Sequence, residues 1–294
     1  MNLIIEIFSS SLLAATPILL AALGGLYTYH ADIFNIAMEG MLLISAFMAV
    51  VGSYLFGSWF IGLLFGLLGG VIAAGIFILF AVYLNTDEFV TGIALNMLAL
   101  GGTTYVMRQM FNVKGAFISS KIVGIPQWSL GPVARIPGLG EIVSGHPFIT
   151  YIAVILVFFV SYHLYRTPFG LRLRASGEDA KAVESMGIDV RILKSKAILL
   201  SGLLCGLGGV SLSLGMVRLF AENMTNGRGW ISLAVIILTK GKPVNVLIMA
   251  LIFGLFDGLG LSLQHTAIPS QLTQMLPYLA TLVALYIYSR RKKV

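Results

Sequence analysis

Long apolar runs separated by short polar breaks make up most of the chain. Crossing about 30 Å of hydrocarbon takes about 20 helical residues. On that measure the pattern predicts helices near 3–27, 35–57, 59–84, 88–110, 148–165, 195–219, 229–240, 245–263 and 271–289. Two breaks are longer. Phe111 to Pro147 carries Pro126, Pro132, Pro137 and Pro147 with glycines between, which is too irregular for a span and too short for a domain. It reads as an extracytoplasmic loop over 111–147, either a docking cap or a passive connector. Arg166 to Lys196, RTPFGLRLRASGEDAKAVESMGIDVRILKSK, is the one long hydrophilic island. It holds Arg166, Arg172, Arg174, Lys181, Arg191, Lys194 and Lys196 together with Glu178, Asp179, Glu184 and Asp189.

Composition agrees with the pattern. The 294 residues are 58% hydrophobic and 11% charged, whereas a soluble domain is about 25% charged. The expected fold is all-α: a polytopic membrane bundle of about 8–10 transmembrane helices, a single transmembrane domain over 1–294, with a short cytoplasmic helix. A net charge of +7 raises nucleic-acid binding, but the cations lie beside apolar segments, the arrangement of positive-inside anchoring. Cys205 is the single cysteine, so no intrachain disulfide is possible. The N-terminus lacks a basic n-region and carries Glu6, and it reads as a retained first helix rather than a cleaved signal peptide.

Placing the island in the cytoplasm, with nine crossings, puts the Arg290–Lys293 tail inside with Lys240 and Lys242. Arg108, Lys114, Lys121, Arg135, Arg218 and Arg228 then fall outside or at that interface. The bias supports this orientation, with the N-terminus outside. The 229–240 segment is the weak point, because twelve helical residues span only about 18 Å. It reads as a short crossing, with a half-helix or re-entrant segment as the alternative. Gly62, Gly66 and Gly70, Gly202 with Gly206, and Gly254 with Gly258 form small-residue ridges suited to close helix packing. No internal repeat is evident.

In the island, Ser176 begins a Ser-Gly-Glu-Asp pattern that predicts a capped helix of about ten residues, with Gly187 as its left-handed stop. Asp189 is placed as the N-cap of the next helix. An amphipathic helix lying on anionic lipid is one reading. Its near charge balance and the small-residue side at Ala180, Val183 and Gly187 favour a protein groove instead.

Three blocks resemble bacterial ABC-importer permeases of the branched-chain amino acid/ribose permease superfamily. They are GLRLRASGEDAKAVESMGIDV, Phe34 to Ala49 (FNIAMEGMLLISAFMA), and Gly227 to Leu259. The Asn-Ile-Ala-Met-Glu-Gly form resembles the nucleoside and related sugar branch, which includes permeases for guanosine and other purine nucleosides. The island lacks the strict Glu-Ala-Ala start of the loop found in other importers, keeping a loose version in Ala180, Ala182 and Gly187. The resemblance implies a permease subunit in the bacterial cell membrane that moves nucleosides inward. Permeases of the same type for a simple sugar or a branched-chain amino acid are the alternatives. It also implies a second homologous permease, often different from the first, ATPase subunits that grip the cytoplasmic helix, and an extracytoplasmic substrate-binding lipoprotein. The expected coupling residues are Gly177, Glu178, Ala180, Ala182, Val183, Glu184, Met186 and Gly187.

The chain contains no GxxxxGK[ST] phosphate loop, and Lys240-Gly241-Lys242-Pro243 lacks the upstream glycine and the Ser/Thr. No cofactor is expected on this chain; ATP and Mg²⁺ belong to the partner ATPase, and the chain itself is not expected to be an enzyme. Within the spans, Asn35, Glu39, Asn96 and Asp257 are polar groups that either line a solute pathway or fix helix packing. A proton-coupled carrier would use the same acids. His30, His146, His163 and His265 are scattered, with no metal-ligand or triad spacing. Trp59, Trp128 and Trp230 read as outer-boundary anchors rather than base-stacking platforms.

Overall fold

The apolar runs among the described residues fold as helices. A computed structural model describes residues 3–129, 131 and 139–263. The predicted 271–289 helix, the Arg290–Lys293 tail, Pro132, Arg135, Pro137 and His265 lie outside the described residues. The long helices are α1 (Leu3–His30), α2 (Met38–Phe56), α3 (Trp59–Phe77, continued by a π-helical turn Ile78–Tyr83) and α4 (Glu88–Phe111). Two two-residue strands follow, β1 (Ala116–Phe117) and β2 (Gln127–Trp128), then α5 (Leu139–Val143) and β3 (His146–Pro147). After these come α6 (Phe148–Arg166), α7 (Pro168–Glu178), α8 (Ala180–Ser185) and α9 (Val190–Val210, with a π turn Ser211–Val217). The described chain ends with β4 (Phe220–Ala221), α10 (Arg228–Leu238) and α11 (Pro243–Leu263). Among the described residues, seven helices are long and apolar enough to cross a membrane, and α10 is a shorter apolar helix.

Local chemistry sets the ends. Asp87 accepts a hydrogen bond from the Val90 N–H at 2.9 Å and starts α4, while Asn112 closes it in the left-handed conformation. Helices α1, α2 and α9 form the centre, their spans mostly buried; α4 and α6 are mostly exposed. Glycine makes the central crossings possible. A Cβ on Gly70 would strike the Gly202 carbonyl and approach the Cα of Gly206, and one on Gly254 would meet Ala15 and Ser11. The three predicted ridges are therefore the α3–α9 and α1–α11 contacts.

The long polar loop folds back on the end of the bundle opposite the island. β1 pairs with β4 and β2 with β3, both antiparallel. Ser53 Oγ donates to the Val123 carbonyl and accepts from the Val123 N–H, each at 2.9 Å.

The short segment resolves into two halves. β4 sits at the loop end of the bundle. α10 begins at mid-height, where the Ser232 hydroxyl donates to the Ile18 carbonyl at 3.0 Å. It ends near the island, where the Gly241 carbonyl hydrogen-bonds His30 Nε2 at 3.0 Å. Lys240 and Gly241, both at positive φ, make the turn into α11. An irregular half, 222–227, and a helical half of about 16 Å thus carry the chain from one end to the other. Such a backbone is tolerated at depth where protein surrounds it or it lines a cavity.

The island differs from the expected single helix. Ser176 is not a cap: it lies inside α7 and donates to the Leu173 carbonyl at 2.8 Å. Thr167 caps α7 instead, followed by Pro168 at its first position. Asp179 is the cap of α8, accepting from the Ala182 N–H at 3.0 Å, so the ten-residue helix is a six-residue one. A carboxylate beside an extended backbone outcompetes a hydroxyl already satisfied within a helical turn. Gly187 has φ +81 and Asp189 caps α9 through Arg191 and Ile192, as the sequence reading placed them.

Candidate functional site

Asn35 and Glu39, Asn96, and Asp257 come from three separate stretches, and the fold brings them around the start of α2. Asn96, two turns into α4, is spent on backbone: its Oδ1 accepts from the Gly40 N–H at 2.7 Å and its Nδ2 donates to the Ile36 carbonyl at 3.1 Å. Gly40 allows this, since a Cβ there would lie 2.9 Å from Asn96 Oδ1. Asn35 turns the other way and donates to Ser201 Oγ on α9 at 3.1 Å.

Glu39 caps the half-height helix. Its Oε1 accepts from the Gly227 N–H at 2.9 Å and its Oε2 from the Gly229 N–H at 2.6 Å. A carboxylate there satisfies N–H groups that begin a helix and faces the positive end of its dipole. Gly229 is needed for the approach, because a Cβ would stand 2.5 Å from the Glu39 nitrogen. Next to it, the buried Arg228 Nη2 donates to Asp257 Oδ2 at 2.7 Å, tying α10 to α11. Arg228 is therefore not an outer-interface cation but half of an ion pair inside the bundle.

A cavity of about 400 Å³ opens beside this knot, lined by Glu39, Asn96, Met97, Asn223, Asn226 and Trp230 among others. Trp230 is the residue the sequence reading misplaced. It lies on the first turn of α10 at mid-height, away from any outer boundary. Its signal was available: a tryptophan following Gly-Arg-Gly at the start of a helix too short to span. Trp59, by contrast, packs on Phe60 and Phe148, and Trp128 is exposed on β2.

At the island end, α7 is clamped on the bundle. Gly177 is a packing residue, since a Cβ would collide with the His30 carbonyl. Glu178 lines a groove with His30, Asp32 and Arg174, and the Arg174 guanidinium lies 4.7 Å above the Tyr165 ring. In α8 only Val183 is buried, pinning the helix; Ala180 is half-buried, and Ala182, Glu184, Met186 and Gly187 are exposed. The predicted coupling set thus divides into an anchoring part and a presented part. Met186, 67% exposed at the tip, is the most projecting apolar side chain of the island.

At the opposite end, Glu222 joins the loop to α4. Its Oε1 accepts from Arg108 at 2.9 Å and from the Gly115 N–H at 3.1 Å. The Gly115 hydrogen bond, then the Arg108 guanidinium, hold its carboxyl below the usual range.

Residues 7–285 match the family described as "Branched-chain amino acid transport system / permease component". The chain is 32% identical to the guanosine ABC transporter permease protein NupQ of Bacillus subtilis, over 95% of this chain and 90% of that protein. It is 31% identical to the nucleoside ABC transporter permease protein NupC of Lactococcus lactis, over 96% and 92% respectively. The solved structure of an inward-facing metal-chelate type ABC transporter aligns at TM-score 0.57 and 17% identity, covering 96% of this chain and 85% of that one. At that identity the likeness concerns the fold alone.

Proposed function

Because the chain belongs to the branched-chain amino acid transport system permease family, we propose that it is the membrane subunit of an ATP-driven importer that carries nucleosides into the cell. The single observation carrying the solute class is near-full-length identity, 32% and 31%, to permeases named for guanosine and nucleosides. The working assembly pairs this chain with a second permease, two ATPase subunits at the island end and a substrate-binding lipoprotein at the loop end.

In this reading Ala182, Glu184, Met186 and Gly187 present α8 to an ATPase groove, while Val183 and Gly177 fix it to the bundle. ATP-driven closure of the ATPases displaces α7 and α8. The displacement reaches α1 at His30, where Gly177 packs and where α10 ends through Gly241. α10 in turn carries the cavity wall at its other end, so the island and the pathway share one helix.

Proton coupling through the acids is disfavoured by their bonding: Asp257 is ion-paired and both Glu39 oxygens accept backbone N–H groups. The test is reconstitution in proteoliposomes. Labelled guanosine should enter only with ATP and all partners present, regardless of proton ionophore. Gradient-driven uptake by the purified chain alone would reject the importer reading, and preferential uptake of a sugar or branched-chain amino acid would reject the solute class.

A further inference from the structure

The cavity beside α10 has chemistry that sets a solute type. Its volume of about 400 Å³ lies in the range of small-molecule sites, about 300–1,000 Å³. One part of its lining is the indole of Trp230, 42% exposed although it stands at mid-height in the bundle. Met97 and Leu100 supply apolar surface, and the amides of Asn223 and Asn226 supply polar groups.

Among the described residues, Glu39 is the one ionisable side chain in that lining, and its carboxylate is committed to the Gly227 and Gly229 N–H groups. Half-helix N-termini in transporters hold anionic substrate groups. Here the chain fills that position with its own carboxylate. An incoming anion would find neither N–H group available. The helix dipole and the two hydrogen bonds also compensate the Glu39 charge, leaving little to attract a cation. What remains is an aromatic face with amide groups nearby, a combination suited to a flat, uncharged heterocycle.

We propose that this cavity is the transit site, that Trp230 stacks on the nucleobase of the passing solute, and that Glu39 excludes anionic solutes by occupying the α10 N-terminus. This rests on the nucleoside reading above.

The experiment uses the complete transporter in proteoliposomes with tritiated guanosine and guanosine 5′-monophosphate. Wild type should import guanosine and not the monophosphate. Trp230→Phe should keep at least about half the rate, while Trp230→Ala and Trp230→Leu should each lose about tenfold, the size of one base–aromatic stack. Co-purification of the partner subunits with each variant shows that the complex has assembled. Leucine nearly fills the volume without offering a π face, so it separates stacking from packing and carries the test if the alanine variant fails to assemble. Equal rates for the leucine and phenylalanine variants overturn the proposal, as does import of the monophosphate at the guanosine rate. Import of a sugar or amino acid in place of guanosine by wild type overturns the nucleoside reading and this proposal with it. Guanosine import with an indifferent Trp230 overturns the proposal alone.

Discussion

Glu39 shows how one side chain can fix a half-helix inside an apolar bundle. Replacing it by alanine leaves the Gly227 and Gly229 N–H groups without their acceptor in a water-poor interior, where each unmade bond costs about 1–3 kcal/mol. Glu39→Ala should therefore lower the melting temperature in detergent, measured by thermal unfolding, and Glu39→Gln, which keeps an acceptor oxygen, should lower it less. Glu222 gives a pH effect with a definite sign. Its carboxyl is held below the usual range, so the Arg108 and Gly115 contacts contribute at neutral pH and are lost as pH falls through that lowered pKa. Hydrogen exchange at the Gly115 amide should accelerate in acid in wild type. In Glu222→Gln that acid step should be absent.

At the level of elements, α8 is held by two features at its ends and one plug. Asp179 caps it, Gly187 ends it at φ +81, and Val183 is buried beneath it. A β-branched residue at 187 must adopt a conformation costing about 1–3 kcal/mol, so Gly187→Val should shift the turn and uncouple ATP hydrolysis from uptake. Glu184→Lys should weaken ATPase assembly without changing the fold, because the side chain is exposed. Unchanged uptake and assembly in both variants would remove α8 from the coupling role. The α3–α9 crossing should fail differently: Gly202→Leu places a side chain against Ala74 and the Gly70 backbone and should destabilise the bundle itself, read as lost expression and lowered melting temperature. The run of charge made the island legible as an element, yet its division into α7 and α8 was not, because Ser176 fits a capping pattern and only the fold shows its hydroxyl already satisfied by the Leu173 carbonyl inside α7, leaving Asp179 to cap α8.

For the whole molecule, orientation is the property to measure. With Cys205 replaced by alanine, a cysteine at Ser185 should react with an impermeant maleimide only from the cytoplasmic face, and one at Lys114 only from outside; the reverse would invert the assigned topology. The described spans and the island were readable from the chain because they are set by local composition: about 20 apolar residues satisfy their own backbone in lipid wherever they occur. The glycine ridges were readable because helical spacing fixes which residues share a face. The four polar residues were readable as special because each is costly in a span, but their partners were not. Glu39 meets Gly227 and Gly229, Asp257 meets Arg228, and Asn35 meets Ser201. Only the packed bundle decides such pairings, since any buried polar group must find a partner and many could serve. The same holds for Trp230, whose apolar-helix context allowed a membrane boundary until the start of α10 was seen to lie at mid-height, held there by a glutamate 191 residues earlier.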